Sequence, residues 1–493
     1  MRCVKVSAAL AFTHWLGPVL SQPSSVAWDH DFITRDVAII GGGPAGTYAA
    51  IRLRDLGKSV VVVEKQANLG GHTDTYYDPV AGPIDYGVWI YTNTTEARDF
   101  FARLNIPLRI EHLAPGSPDS LEFDLRTGQP VPAQTGNVTE AMIRYTLLLM
   151  KYPYLANGYD LPYPVPDDLV MPFRSLVEKH DLAAAVPVIL AYAQGYADIL
   201  NYPSIYVMKV FNLNVVQGAQ TGFLRPASGA NQDTFTAAAN ELGDDVLYSS
   251  TVAEIYRPYP ESNSYQSESH PQRIIVNTPS GPLKIRAHKI LVAMPPTAEN
   301  LAPFDTDDRE EGIFSKFTIS AYYNAVLRIM GLPPTSHIVN RAIDTPYNIA
   351  ALPGAYIFHP TVPGLGIYTC FFGGGAQPLP REEVLQIMRA NILSLRNAGY
   401  PVMEPEVRAF GNHTPFGLRV SSKDIKGGFY KRLNGLQGYR GTFWTGATFQ
   451  EHDSAGFWRF TERLIREQIL GNVPGADTPA SQISAQANSP RSS

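Results

Sequence analysis

Cysteine is nearly absent: the 493 residues include two, Cys3 and Cys370. Cys3 falls in an N-terminal segment that reads as removable, which leaves Cys370 alone and excludes an internal disulfide. Stability must then come from the core and from a bound cofactor, not from covalent staples. Charge is also sparse, 17% of residues with a net charge of −5, which argues against nucleic acid as a partner. No apolar run reaches the ~20 residues of a membrane span. Residues 182–201 are interrupted by Pro187, Gln194 and Asp198, and residues 6–20 by His14 and Gly17-Pro18. No spacing of His, Cys, Asp or Glu matches a metal site, so no metal is expected. A second dinucleotide motif is missing too. Gly373-Gly374-Gly375 follows a strand-like run, but Pro378 and Pro380 crowd the turn and no acid ends a following strand.

What is present concentrates in residues 36–75. An apolar run, Val37 to Ile40, breaks into Gly41-Gly42-Gly43-Pro44-Ala45-Gly46 and then into a helix-period segment ending at Gly57. A second apolar run ends in Glu64. This is strand, tight turn, helix, strand, acid. Gly41 lets the chain leave the strand sharply, Gly43 lets backbone approach a pyrophosphate, and Gly46 lets the helix pack on the sheet. The helix N-terminus offers N–H groups and partial positive charge to phosphates, and Glu64 is placed to accept from ribose hydroxyls. The order predicts a dinucleotide site at Gly41, Gly43, Pro44, Ala45, Gly46 and Glu64. The glycine pair Gly70-Gly71, just past the acid, suits a flavin dinucleotide, whose ribityl chain and ring edge also need close backbone.

The N-terminus carries Arg2 and Lys5, an apolar stretch, and Val19-Leu20-Ser21 before Gln22. We read residues 1–21 as a signal peptide, so the expectation is a secreted protein with no stable membrane insertion after cleavage. Asn93-Thr94-Thr95, Asn137-Val138-Thr139 and Asn412-His413-Thr414 are glycosylation triplets that fit a secretory route. Thr139 is also placed to cap a helix beginning at Glu140. Helices are expected over 94–105, 139–151, 173–180, 182–201, 230–242, 381–398 and 454–470, with loops over 113–136 and 258–270. Strand patterns at 273–277 and 283–286 form a hairpin around Ser280-Gly281-Pro282, and a separate strand starts at His288. The Pro/Ser/Ala-rich end, 473–493, reads as disordered.

Glu64-Lys65 followed by Gly70-Gly71-His72-Thr73 resembles the FAD-binding start of the flavin-containing amine oxidase superfamily. Pro83-Ile84-Asp85-Tyr86-Gly87-Val88 is similar to its next strand, and Gly441-Thr442-Phe443-Trp444-Thr445-Gly446 with Asp453 to its closing FAD motif. Many members carry Arg where His72 stands and an acid where Ala447 stands. Residues 192–201, 204–209 and 444–447 resemble a narrower fungal group, the beta-cyclopiazonate dehydrogenase family. The resemblance implies an α/β fold: a discontinuous Rossmann-type FAD-binding domain (35–90, 230–300 and 437–472) and a second α+β, amine-oxidase-like substrate domain (91–229 and 301–436). It implies FAD contacts from Lys65, Gly70, Gly71, His72, Thr73, Gly446, Asp453 and the backbone of Val252, with the helix after Asp453 pointing at the flavin. A cysteine tether between Gly411 and Gly446 is missing, so FAD is expected without a covalent link.

The implied activity is that of an FAD-dependent oxidoreductase acting on a small-molecule secondary metabolite, with hydride transfer to flavin N5, possible ring closure, and O2 as the electron acceptor. The position where several amine oxidases place a lysine falls near Tyr322, Tyr323 or Asn324, and none is lysine; Tyr323 and Asn324 are the pocket candidates. His72, His359, His413 and His452 are candidate proton acceptors, though no spacing gathers them. Three alternatives stand: an amine or polyamine oxidase, for which Asp198 is a candidate acid; a flavin-dependent isomerase without net redox; and a non-enzymatic flavoprotein.

Overall fold

A computed structural model describes residues 32–113, 120–132, 135–259, 271–362 and 364–471. The signal peptide (1–21), the tail (473–493) and most of the 258–270 loop lie outside the described residues.

Two sheets organise these residues. In the first, strand Phe32–Ile40 lies parallel between Val60–Val63 and Gly281–Val292, and Val246–Leu247 extends the Val60–Val63 edge. Val37 to Ile40 and Val60 to Val63 are all buried. Parallel strands are covered on both faces, which is why these runs are continuously apolar and do not alternate. Helix Pro44–Asp55 packs against helix Ser454–Leu464, where the Trp458 indole N–H donates to the Pro44 carbonyl at 3.0 Å.

Two sequence segments that read as separate strands are one. Gly281–Val292 is a 12-residue strand. Its first half pairs antiparallel with Gln272–Thr278, and the strand runs parallel to Phe32–Ile40. Its last residues also take Thr442–Trp444 as a parallel neighbour. Local alternation could not show that one strand serves two partners.

The second sheet has eight strands, including Thr318–Arg328, Gly354–Val362, Ile367–Gly375, Glu406–Asn412 and Phe416–Arg419. Strands Ser120–Asp124 and Gln129–Pro130 extend it, so 113–136 is not all loop. Helix Arg381–Leu393 covers one face, where Val384, Met388 and Ile392 form a core with Tyr323, Ala325 and Leu327. The period of two in a strand sends Tyr322 to the opposite face, into the larger core shared with the first sheet.

Helices between Val138 and Thr221 close the remaining side. The long helix expected over 182–201 is broken. It divides into a 3-10 turn at Ala183–Ala185, helix Val186–Tyr192 and another 3-10 turn at Ile199–Asn201. The break is at Gly195, whose φ is +87° and where a Cβ would stand 2.7 Å from the Phe416 ring. Helix Val138–Met150 is capped by Asn137, whose side chain accepts the Glu140 N–H, and not by Thr139.

Candidate active site

The turn after Phe32–Ile40 is built by close backbone contact. Gly41 sits at φ +101° and accepts no ordinary side chain there. A Cβ on Gly46 would lie 1.9 Å from the Gly41 carbonyl oxygen, so the helix rests directly on the turn. Gly43 differs: a Cβ there would meet only Gly71 Cα, at 3.8 Å, and otherwise enter open space. Gly43 caps helix Pro44–Asp55 without a side-chain hydrogen bond, which leaves first-turn amides for an anion. Glu64 is buried and fixed from both sides. Its Oε2 accepts the Gly42 N–H at 2.6 Å and its Oε1 accepts the Gln66 N–H at 2.7 Å. An open glycine floor, uncapped amides and an oriented carboxylate match a dinucleotide's pyrophosphate and ribose.

This cradle is one end of a cavity of about 1230 Å³. Pockets for single drug-sized ligands run to roughly 300–1,000 Å³, so the space suits a dinucleotide together with a second molecule. Gly41, Gly43, Pro44, Ala45, Glu64, Lys65, Gly71, His72, Val252, Gly446 and Asp453 all line it. Gly46 and Gly70 do not; they shape the turn beneath. Thr73 is buried with its hydroxyl unpartnered among the described residues.

The closing motif brings Gly446, Ala447, Thr448, His452 and Asp453 to the cavity wall. Asp453 caps helix Ser454–Leu464, accepting the Ala455 N–H at 3.2 Å, and receives the Thr92 hydroxyl at 2.9 Å. The resemblance implies that this helix end, capped by Asp453 or Ser454, points at the flavin. Here the Asp453 carboxylate already takes one of its amides, and burial raises its pKa.

Three histidines gather nearby. The His72 ring stacks on His413 with centroids 4.7 Å apart. Burial first, then His413 and His452, hold the His72 pKa well below the ordinary imidazole value. His413 is spoken for at both nitrogens. Asn324 Nδ2, a donor only, lies 3.3 Å from Nδ1 and also donates to the Tyr86 carbonyl at 2.6 Å. His413 Nε2–H therefore donates to Asp74 Oδ2 at 3.0 Å. His452 Nε2 accepts the Gly417 N–H at 3.0 Å, so its proton sits on Nδ1. Burial pushes its pKa down to about 3.

The two pocket candidates of the sequence reading do not line the cavity. Tyr323 faces the other core, where its hydroxyl donates to the Leu379 carbonyl at 3.1 Å and accepts the Leu379 N–H at 2.7 Å. Strand alternation gives its place to Tyr322, which does line the cavity. Asn324 is buried behind His413, its side-chain amide 3.3 Å from the His413 Nδ1. Asp198 is exposed, hydrogen-bonds Asn201, and is not part of the wall.

The far end joins Trp89, Tyr192, Val215, Phe223, Ile357, His359 and Phe371. Of these only His359 was flagged by sequence. The others are ordinary core-type residues whose convergence depends on strand and helix packing. Among the described lining residues the charged ones are Glu64, Lys65, Glu299 and Asp453, all on the nucleotide-side segments. Lys65 is the sole lysine among them.

Comparison with known proteins agrees with this fold. A family model described as an NAD(P)-binding Rossmann-like domain matches residues 39–104. The FAD-dependent oxidoreductase oblC of Cochliobolus heterostrophus is 36% identical over 462 residues, covering 90% of this chain and 93% of that protein. The beta-cyclopiazonate dehydrogenase of Aspergillus oryzae is 33% identical over 440 residues, covering 88% and 93%. Two solved structures share the fold. A fatty acid isomerase from P. acnes that produces CLA has a TM-score of 0.70 at 20% identity, covering 87% of this chain and 98% of that one. Wild-type putrescine oxidase bound to putrescine has a TM-score of 0.60 at 18% identity, covering 88% and 98%.

Proposed function

The chain belongs to the family of FAD-dependent oxidoreductases that includes beta-cyclopiazonate dehydrogenase, and we propose that it oxidises a large, uncharged, ring-containing secondary metabolite. The observation that carries this is the division of charge along the cavity. Every charged lining residue lies on the nucleotide-side segments, and the far end is aromatic and aliphatic with a neutral His359.

FAD, when bound, supplies a two-electron acceptor for a hydride. The chain's own residues do the rest. Gly43, the first-turn amides and Glu64 would hold the dinucleotide, and Gly446, Thr448 and the Asp453-capped helix line the same cavity and would complete its site. Trp89, Phe371 and Tyr322 keep the far end apolar, which excludes water and fixes the orientation of a bound ring. His72, kept neutral by burial, is the proton acceptor for a substrate that loses a proton after oxidation, since the His452 lone pair is already taken by the Gly417 N–H.

An amine or polyamine oxidase needs a carboxylate to receive a cationic substrate, and the far wall offers none among the described residues. O2 is the proposed electron acceptor, without a lysine at the Tyr322 position to assist it. The test is anaerobic mixing of the yellow protein with neutral polycyclic metabolites and, separately, with putrescine. Bleaching of the flavin band by the former and not the latter is expected, followed by O2 uptake on aeration. Bleaching by putrescine alone overturns the reading. Substrate turnover with neither bleaching nor O2 uptake identifies an isomerase instead.

We also propose passage through the secretory pathway. The side chains of Asn93, Asn137 and Asn412 are all exposed. Expression in a yeast should give a mass that falls on glycosidase treatment; an unglycosylated cytosolic product refutes the proposal.

A further inference from the structure

At the far end of the cavity, polar atoms are few: the Trp89 indole nitrogen and the Tyr192 hydroxyl are enclosed without a hydrogen-bond partner among the described residues, and most of the others are committed. The Gln194 amide donates to the Ala191 carbonyl, and the Thr414 hydroxyl bonds the Tyr322 backbone. His413 is engaged at both nitrogens. His359 is different. Its Nδ1 lies 3.1 Å from His337 Nδ1, so one proton is shared on that axis. Its ring stands edge-on to Trp89 at 4.5 Å, and Trp89 lies 6.2 Å from Phe371. All four side chains line the cavity. His359 is half-buried, and burial followed by His337 pushes its pKa down to about 3, so it is neutral at working pH.

This arrangement leaves His359 Nε2 as a neutral hydrogen-bonding atom in an aromatic wall. When His337 supplies the shared proton, His359 Nε2 carries a hydrogen and donates. When His359 supplies it, Nε2 accepts. We propose that His359 is the polar anchor of the substrate, its Nε2 hydrogen-bonding an uncharged carbonyl or hydroxyl on a planar ring that lies against Trp89 and Phe371. The assignment rests on the oxidoreductase reading of the same cavity and specifies what that reading leaves open: the substrate carries a neutral oxygen on its ring, not an ammonium.

Three probes of one ring size separate the terms: tetralin with no polar atom, tetralone with a carbonyl, and aminotetralin with an ammonium. Binding to the FAD-loaded enzyme is read from perturbation of the flavin band and quenching of tryptophan fluorescence. Tetralone should bind about tenfold tighter than tetralin, the equivalent of one neutral hydrogen bond, and aminotetralin weakest. His359→Phe should abolish the tetralone advantage while keeping tetralin binding. His359→Gln, which retains a donor and acceptor, should restore part of it and serves if the phenylalanine variant does not fold. An unchanged tetralone preference in these variants overturns the anchor, as does equal binding of the three probes to the wild type. Either result leaves the protein yellow. Wild-type protein that takes up no flavin fails the underlying reading instead.

Discussion

A single carboxylate decides much of the nucleotide end. Glu64 accepts two backbone N–H groups at 2.6 and 2.7 Å. Those bonds aim it at the cavity and hold the turn to the following loop. Glu64→Ala should weaken FAD binding by about 10–100-fold, since charge-assisted hydrogen bonds contribute about 1.5–3 kcal/mol each; titration of the apo-protein with FAD measures this. Tyr323 makes the opposite case. Its hydroxyl bonds only Leu379, in a core behind the sheet. Tyr323→Phe should cost about 1 kcal/mol of stability and leave kcat unchanged, whereas Tyr322→Ala should reduce kcat/KM. A matched loss of kcat in Tyr323→Phe would contradict the register of the strand Thr318–Arg328.

The turn and helix at residues 40–55 separate folding from binding within a few residues. A methyl group on Gly46 would collide with the Gly41 carbonyl at 1.9 Å, a backbone atom that cannot rotate away. Gly46→Ala should therefore displace helix Pro44–Asp55 and lower the melting temperature, as overpacking does. A methyl group on Gly43 meets only Gly71 Cα at 3.8 Å and otherwise projects into the cradle. Gly43→Ala should keep the circular dichroism melt of the apo-protein and lose bound flavin. Equal losses of fold and flavin in both variants would show that the two glycines do one job.

Across the whole molecule, a buried ion pair ties the flavin-side loop to the helices of the other half. Lys209, on helix Ser204–Val210, lies 3.3 Å from Glu451 and donates to the Leu155 and Gly158 carbonyls at 2.7 and 2.8 Å. Burial pushes the Glu451 carboxyl up to about 7 against the opposing pull of Lys209. Its folded-state pKa thus exceeds the ordinary value of 4.5, so the folded protein binds more protons between those values and stability falls as pH rises through about 7. Lys209→Met removes the cation and should raise that pKa further. The cost should be about 3–5 kcal/mol at alkaline pH, where the carboxylate is left unpaired, and smaller at mildly acidic pH, where the carboxyl is already neutral. Denaturation midpoints at the two values measure it; a cost independent of pH would mean that only the carbonyl contacts of Lys209 matter.

By itself the sequence determined the nucleotide half. Strand, turn, helix and acid there are consecutive, and each glycine's role follows from backbone sterics within about 30 residues. Glu64 and Gly43 were legible for that reason, as was the α/β class, whereas Gly446 was legible only through the resemblance of its segment to a closing FAD motif. The far end of the cavity was not. Trp89, Tyr322, His359 and Phe371 come from separated segments, and each reads as a core residue in its own strand or loop. Which of Tyr322 and Tyr323 meets the cavity turns on a one-residue register that both faces of a buried strand disguise. The break at Gly195 depends on a Phe416 ring more than two hundred positions away. Tertiary packing decided these points, because long-range contacts set the orientation of side chains whose local pattern is compatible with either face.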